Sequence, residues 1–183
     1  FGYYHNHLSD QFMALSPPVT FSVIPGHRYS AILAKEAYHA GHEVMIHMPM
    51  EPITMVGNDE TYMLKTGMPR HALRRQIKQA IADIPYATGM NNHMGSKATQ
   101  DSLLMMQLSR ELSGRNLFFL DSYTTAQSVA MPTMRKAGIP TIKRDVFLDN
   151  IRDTHHIIRQ LQETARIAAE YGVAVAIGHA NQH

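Results

Sequence analysis

The stretch Glu43–Met50, which reads EVMIHMPM, decides the fold. One set of alternate side chains, Val44, Ile46 and Met48, is apolar, whereas the opposite face carries His47. Successive side chains of a strand point to opposite faces of the sheet. A strand in an open sheet with helices on both sides should be apolar on both faces. A polar inner face instead favours a barrel whose interior opens into a site.

Similar short apolar runs alternate with helical patterns along the whole chain. Strands are predicted at Val19–Pro25, Glu43–Met50, Thr88–Met94, Leu117–Tyr123, Thr141–Asp149 and Val173–His179. Helices are predicted at Tyr29–Ala40, Arg70–Ile84, Gln100–Leu112 (capped by Thr99), Ala126–Ala137 and Asp153–Tyr171. Parallel neighbours need crossover connections of this kind. The sequence therefore predicts an α/β fold, a parallel β/α barrel with its strands in sequential order.

Composition narrows the possible function classes. With 183 residues, 44% hydrophobic and 17% charged, the chain is expected to form a single domain over residues 1–183. A net charge of +2 and no basic run argue against nucleic-acid binding, and no apolar stretch is long enough to span a membrane. The absence of cysteine excludes disulfides and thiolate ligands, so the 12 histidines point to nitrogen and oxygen ligands if a metal binds.

Polar side chains stand at the carboxyl ends of the predicted strands. They are His27, His47, Glu51, Asn91, Asn92, His93, Asp121, Ser122, Asp149 and His179. In parallel β/α folds these ends form one rim, where active sites lie. We therefore expect His47, Glu51, His93 and His179 to converge on one cavity.

The residue types suggest a hydrolytic metal site. His47 and His93 are suited to bind a divalent metal such as zinc. Glu51 is expected to be a third ligand or the base that takes a proton from water, with Pro49 fixing where its carboxylate points. Three further rim groups could orient reactants, act as base or donate a proton to the leaving group: Asp121, Asp149 and His179.

Structural roles are open for the same residues. A histidine at a strand end is often a hydrogen-bonded structural residue. The Asn91–His93 triplet could be turn chemistry, because asparagine tolerates unusual backbone angles. Asp121, followed by Ser122, could belong to a group of helix-capping residues.

Five segments resemble, in order, the motifs of the divergent polysaccharide deacetylase family. They are GHEVMIHMPMEP (Gly41–Pro52), GMNNHMGS (Gly89–Ser96), FFLDSYTT (Phe118–Thr125), RDVFLD (Arg144–Asp149) and AIGHA (Ala176–Ala180). The family is distantly similar to NodB-type carbohydrate deacetylases. The resemblance implies a distorted barrel of about seven strands and a metal-dependent hydrolase that removes acetyl groups from a polysaccharide.

The resemblance also implies roles for individual residues. His47 matches the first histidine ligand of NodB-type enzymes, but Glu51 occupies the position of the second, and His93 is the candidate replacement. His179 matches a histidine that assists the catalytic aspartate. Further rim carboxylates are expected at Asp121 and Asp149, and substrate contacts at Asn91, Asn92 and Ser122.

The family carries an Asp-Asp pair directly before a Phe-Gly like Phe1-Gly2, and this pair supplies the base and one metal ligand. The sequence is therefore expected to be incomplete at its N-terminus, with the first strand missing. Family members often carry secretion signals, so a periplasmic or secreted location is expected. The expected partner is a polysaccharide or oligosaccharide, and the sequence leaves the oligomeric state unknown.

Two other functions are compatible with the sequence. One is a carbohydrate-binding barrel of the cell envelope that has lost catalysis, on which the departure at Glu51 and the aromatic content of 8% both bear. The other is a metal-dependent hydrolase acting on something other than sugar. Whatever the function, Glu51–Pro69 is expected to be a mobile loop over the cavity, because it is long for a strand-to-helix connection.

Overall fold

The computed structural model describes residues 1–54 and 60–180. Within these ranges the strands β1 to β7 are Thr20–Val23, Glu43–Met50, Gly89–Met94, Phe118–Asp121, Thr141–Lys143, Val146–Phe147 and Ala176–Ile177. The helices α1 to α6 are His7–Met13, Ser30–His39, Arg70–Asp83, Ser102–Leu112, Ala130–Lys136 and Thr154–Tyr171. A short 3-10 helix, Ala98–Gln100, precedes α4.

The chain divides into two compact units, Phe1–Ile142 and Lys143–His183. The first contains a five-stranded sheet with the order β1-β2-β3-β4-β5. The pairs from β1 to β4 are parallel, so the predicted sequential order is confirmed for this sheet. The second unit contains the parallel pair β6–β7 and helix α6. A single domain over residues 1–183 stays a prediction.

The core of the first unit lies between the sheet and its helices. Val44, Ile46 and Met48 of β2 are buried in one cluster with Leu73 and Ile77 of α3. The predicted apolar faces of this strand and this helix are thus the faces that meet. The opposite face of β2 is left for His47, as the alternation in the sequence predicts.

Glycine is required where β3 meets its neighbours. A Cβ on Gly89 would lie 2.6 Å from the ring of Phe118, the residue opposite it on β4. A Cβ on Gly95, just after β3, would lie 2.9 Å from Cβ of Met50, and Gly95 has a φ of +88°. Both distances are shorter than a real Cβ atom allows. Glycine at these positions therefore lets β3 approach the adjoining strands closely.

The prediction of one strand over Thr141–Asp149 is wrong. The segment forms two short strands, Thr141–Lys143 and Val146–Phe147, which belong to different sheets. Asp145 lies in the interruption, where its Oδ2 accepts a hydrogen bond of 2.8 Å from the backbone N–H of Val175. Its own backbone N–H donates to Val175 O at 2.9 Å. Asp145 thus holds the chain that leads into β7 through both its side chain and its backbone. The two short strands are interrupted at this point.

The predicted N-cap Thr99 is also wrong. Helix α4 is capped by Asp101, whose Oδ1 accepts hydrogen bonds from the N–H groups of Leu103 and Leu104 at 2.9 and 3.1 Å. Thr99 is fully buried, and its hydroxyl donates to Gly95 O at 2.8 Å. Aspartate satisfies free N–H groups of the first helical turn, whereas Thr99 fastens the preceding loop.

Part of the predicted loop Glu51–Pro69 is attached to the sheet. Leu64 is fully buried, its N–H donates to Pro49 O at 2.8 Å, and its carbonyl accepts from Glu51 N–H at 2.9 Å. Leu64 pairs with Met50 of β2, beyond the part of β2 that pairs with β1. Pro49, which has no backbone N–H to donate, therefore lies outside the β1–β2 pairing. Residues 55–59 of the predicted mobile loop lie outside the described residues.

Among the described helices, none combines the length and the apolar character needed to cross a bilayer.

We expect Ile77→Ala to lower the free energy of unfolding by about 2–5 kcal/mol, because the substitution leaves a cavity at a fully buried position. The matched control is Ile32→Ala on helix α2, where Ile32 is 46% exposed. That control should change stability by less than about 0.5 kcal/mol. Urea denaturation followed by circular dichroism measures both, and equal losses in the two variants would contradict the assigned core.

Candidate metal centre

The register between β2 and β3 brings His47 and Asn91 together. The two residues lie directly opposite each other in the parallel pair, so their side chains project from the same face of the sheet. Oδ1 of Asn91 accepts a hydrogen bond from Nδ1 of His47 at 2.8 Å. This bond holds the imidazole through Nδ1, and its other nitrogen, Nε2, is directed away from Asn91.

His93 reaches the same place from β3. It follows Asn91 by two residues, which returns it to the same face. Nδ1 of His93 lies 3.2 Å from Nε2 of His47, and the two ring centroids are 4.8 Å apart with an interplanar angle of 62°. The structure thus brings together both predicted metal ligands.

The separation of the two nitrogens fits a shared metal ion. Zinc–imidazole bonds of about 2.0–2.1 Å in a tetrahedral arrangement place neighbouring ligand atoms about 3.3 Å apart. The observed 3.2 Å between Nε2 of His47 and Nδ1 of His93 matches that spacing. Over residues 1–54 and 60–180, no group of three or more histidine or carboxylate side chains has the geometry of a metal site. The pair could therefore hold an ion at two positions, with the other positions left to water, substrate or further ligands.

Asn91 has an unusual environment for an amide side chain. The residue is 1% exposed, and its Nδ2 is buried with no hydrogen-bond partner in the described part of the chain. An unsatisfied buried donor costs about 1–3 kcal/mol. None of Asn91, Asn92 and His93 has a positive φ; the left-handed residues here are Met94 and Gly95. Asparagine is therefore not at position 91 to allow a backbone turn.

Glu51 lies at the end of β2, but its carboxylate is directed to the neighbouring loops. Oε2 accepts hydrogen bonds from the N–H and the hydroxyl of Thr66, both at 2.8 Å, and Oε1 accepts from Nζ of Lys97 at 2.7 Å. Burial by itself would raise the pKa of Glu51, but the bonds from Lys97 and Thr66 outweigh it and hold that pKa below its usual value. A metal ligand or a base at Glu51 would have to give up these bonds.

Asn92 and Ser122 connect the ends of β3 and β4. Oδ1 of Asn92 accepts from the N–H of Ser122 at 2.8 Å, and its Nδ2 donates to Met94 O at 2.8 Å. Asn92 is 1% exposed and lies opposite Met48, a residue of the core beneath the helices. The amide of Asn92 therefore has partners on both atoms and faces away from His47. Substrate contacts by Asn92 and Ser122 stay predictions.

Asp121 organises the turn after β4. Its Oδ1 accepts from the N–H of Tyr123 at 2.9 Å, and its Oδ2 accepts from the hydroxyl of Ser128 at 2.6 Å. The residue is 1% exposed. Tyr123, two residues after β4, and Met94, the last residue of β3, have φ values of 50° and 55°. Such strained residues cluster at functional sites, and here Asp121 helps to hold one of them.

Asp149 and His179 form a pair within the second unit. Nδ1 of His179 lies 3.1 Å from both carboxylate oxygens of Asp149, and Oδ2 also accepts from the backbone N–H of His179 at 3.0 Å. The Asp149 side chain is buried, whereas that of His179 is 55% exposed. The carboxylate thus orients an imidazole that remains accessible.

A third group lies at the end of β1 and includes residues that the sequence did not single out. Nε2 of His27 donates to Oε2 of Glu60 at 2.8 Å, and the hydroxyl of Tyr3 donates to Oε1 of Glu60. Burial, followed by the hydrogen bond to Glu60, raises the pKa of Tyr3. His27 was recognisable from its place after a strand, but Tyr3 and Glu60 lie 24 and 33 residues away from it, and no local pattern connects them.

Comparison with known proteins agrees with this fold. The family model described as divergent polysaccharide deacetylase matches residues 1–183. A crystal structure of the uncharacterized protein ATU2773 from Agrobacterium tumefaciens C58 is similar with a TM-score of 0.92 and 26% identity, covering 100% of this chain and 74% of that one. The fold class predicted from the sequence, a NodB-like α/β fold with parallel strands, is confirmed.

Two curated relatives are similar over almost the whole chain. The uncharacterized protein YibQ of Escherichia coli (strain K12) is 35% identical over 176 residues, which are 96% of this chain and 55% of that protein. An uncharacterized protein of Haemophilus influenzae is also 35% identical over 176 residues, 96% of this chain and 62% of its own length. The chain thus spans somewhat more than half the length of these relatives.

We expect Glu51→Gln to lower the free energy of unfolding at pH 7 by about 1.5–3 kcal/mol, the range of a hydrogen bond to a charged group. Because folding lowers the pKa of Glu51, its carboxylate stabilises the fold above the pKa of the unfolded chain. That contribution is lost as the pH falls through the lowered folded pKa. Urea denaturation of both proteins across this acidic range should show the difference shrinking.

The matched control is Glu43→Gln on the same strand. Glu43 is exposed and accepts hydrogen bonds only from the hydroxyls of Thr20 and Thr88 among its described contacts. It should lose less than about 0.5 kcal/mol. A pH-independent loss in Glu51→Gln would contradict the role assigned to its charge.

Proposed function

Because the chain belongs to the divergent polysaccharide deacetylase family, we propose that it removes acetyl groups from a polysaccharide, using a divalent metal held by His47 and His93. The observation that supports the proposal most is the 3.2 Å separation between Nε2 of His47 and Nδ1 of His93. It matches two neighbouring positions of a tetrahedral ion. Zinc is the metal we propose, since imidazole suits this ion and the chain has no cysteine.

The metal, when bound, would supply an activated water and polarise the acetyl carbonyl. The chain's own part is to hold the ion and to keep its ligands in place. Asn91 holds the His47 ring through Nδ1, and the strand pairing fixes the distance to His93. Attack of water on the carbonyl carbon breaks the bond to the sugar nitrogen or oxygen and yields acetate, and a proton given up by that water balances the one that the leaving atom takes up. The leaving atom must then receive a proton.

We propose that His179, in the second unit, serves in proton transfer, as its resemblance to the assisting histidine of NodB-type enzymes implies. Its imidazole is accessible, and Asp149 holds Nδ1, which leaves Nε2 to exchange protons. A buried carboxylate that orients a histidine in this way is a common arrangement in acid–base catalysis. Asp149 would act through His179, as a positioning residue.

The remaining predicted catalytic carboxylates have structural surroundings. Glu51 is bonded to Thr66 and Lys97, and Asp121 is bonded to the turn that follows it. We propose that both shape the rim and do not take part in proton transfer. A polysaccharide substrate would be met in the cell envelope, so we also propose a periplasmic or secreted location.

A carbohydrate-binding barrel without catalysis is the second candidate. The observation in its favour is that the described residues provide two imidazoles and no three-residue ligand group, while Glu51 is engaged elsewhere. Such a protein would bind oligosaccharides without needing zinc.

We expect His47→Ala and His93→Ala to abolish zinc binding and acetate release together in the full-length protein. His179→Ala should keep zinc binding and lower turnover by about 10²–10⁴-fold, the usual contribution of a general acid or base. Isothermal titration with zinc measures binding, and acetate released from acetylated oligosaccharides measures activity. The control His39→Ala, at the exposed end of α2, should match the natural protein in both assays.

The outcomes separate the candidate functions. If the zinc-saturated natural protein takes up no metal, and His47→Ala leaves acetate release unchanged, the metal-dependent mechanism is wrong. Oligosaccharide binding without zinc and without acetate release would support the carbohydrate-binding barrel. Zinc-dependent acetate release from small esters, with none from oligosaccharides, would instead indicate a hydrolase with another substrate.

A further inference from the structure

We infer that Asn91 is a positioning residue that fixes the tautomer of His47, so that Nε2 carries the lone pair needed to bind a metal. The metal-binding part rests on the proposed function. The tautomer itself is a property of the protein without metal, so it can be tested separately.

The hydrogen bond between the two side chains sets the position of the proton. A neutral imidazole has one N–H donor and one acceptor nitrogen. Oδ1 of Asn91 can only accept, and it lies 2.8 Å from Nδ1 of His47. His47 must therefore carry its proton on Nδ1. An unrestrained histidine carries that proton mainly on Nε2, where it would block the atom that faces His93.

The hydrogen bond between Asn91 and His47 also determines how His47 and His93 bond to each other when no metal is present. With Nε2 of His47 as acceptor, Nδ1 of His93 must donate across the 3.2 Å that separates them. A metal ion would take the place of this proton. The proton can pass to the other nitrogen of His93 through solvent, so two neutral imidazoles become ligands without net proton release. Because Asn91 already keeps the His47 proton on Nδ1, metal binding requires only the proton of His93 to move to its other nitrogen.

The burial of Asn91 supports a role that depends on its Oδ1 atom. Asn91 is 1% exposed, so water cannot compete for its Oδ1 atom. The Nδ2 atom of Asn91 has no hydrogen-bond partner in the described part of the chain. An apolar side chain of similar size would avoid this buried donor, whereas only an acceptor can hold His47 in this tautomer. Indirect partners of this kind fix ring orientation and tautomer in metal sites.

The first test is nitrogen NMR of the metal-free protein labelled with 15N-histidine, at a pH where the imidazoles are neutral. In the natural protein, His47 should show a protonated Nδ1 and an unprotonated Nε2. Asn91→Leu should lose this pattern and shift the proton towards Nε2. Asn91→Asp should retain it, because the carboxylate also accepts from Nδ1.

The second test is zinc titration of the same proteins. Asn91→Leu should bind zinc about 10–100-fold more weakly, the range seen when such supporting partners are removed, and Asn91→Asp should restore affinity. A matched control is Asn150→Leu, because Oδ1 of the exposed Asn150 lies 2.7 Å from Nε2 of His156. This change should alter the His156 signals and leave both His47 and zinc affinity unchanged.

The two tests fail in different ways. If Nε2 of His47 is protonated in the natural protein, the inference about Asn91 is wrong, whether or not zinc binds. That result would mean that the Asn91 amide presents Nδ2, and not Oδ1, to the His47 ring. A protonated Nδ1 that depends on Asn91, without zinc uptake by any variant, supports the positioning role and contradicts the metal-dependent function. The spectrum of the natural protein decides the tautomer even if Asn91→Leu fails to fold.

Discussion

The register between β2 and β3 is the constraint on which the candidate metal centre depends. It sets His47 opposite Asn91 and leaves His93 two residues further along the same face. A shift of one residue would turn one strand's polar side chains into the core beneath the helices. Gly89 and Gly95 mark the two ends of this pairing, and both leave space that a neighbouring side chain fills. The backbone pairing of β2 with β3 is therefore what places His47, Asn91 and His93 on one face.

Glu51 extends this constraint from the sheet to the loops. Its carboxylate binds Thr66 on one side and Lys97 on the other. Its backbone carbonyl also accepts from the N–H groups of Lys97 and Ala98 at 3.1 and 2.9 Å. One residue at the end of β2 thus joins two segments that are distant in sequence. A histidine in this position could bind a metal but could not accept all of these bonds, which gives the departure from the NodB-type pattern a structural reason.

Local patterns predicted the elements that have a regular period. The strand Glu43–Met50 has the predicted bounds, and Arg70–Asp83 differs by one residue, because apolar periodicity reflects burial directly. The prediction over Thr141–Asp149 was wrong because Asp145 binds backbone groups near residue 175, a contact without local signal. The pairing of the two histidines followed from strand order, but the partners of Glu51 could not, since Thr66 and Lys97 lie in turns that no periodic pattern places beside it.

The surroundings of the two histidines distinguish a metal site from a sugar-binding surface. A binding surface needs aromatic faces and hydrogen-bonding groups that the ligand can reach, and it has no use for a particular imidazole tautomer. His47 and His93 instead direct nitrogens at each other at 3.2 Å, while Asn91 uses a buried amide oxygen to hold one ring. In the metal-free protein, Nε2 of His47 and Nδ1 of His93 share one proton in a hydrogen bond. A metal ion bound by both nitrogens would take the place of that proton, which is why we prefer the metal-dependent function to the carbohydrate-binding one.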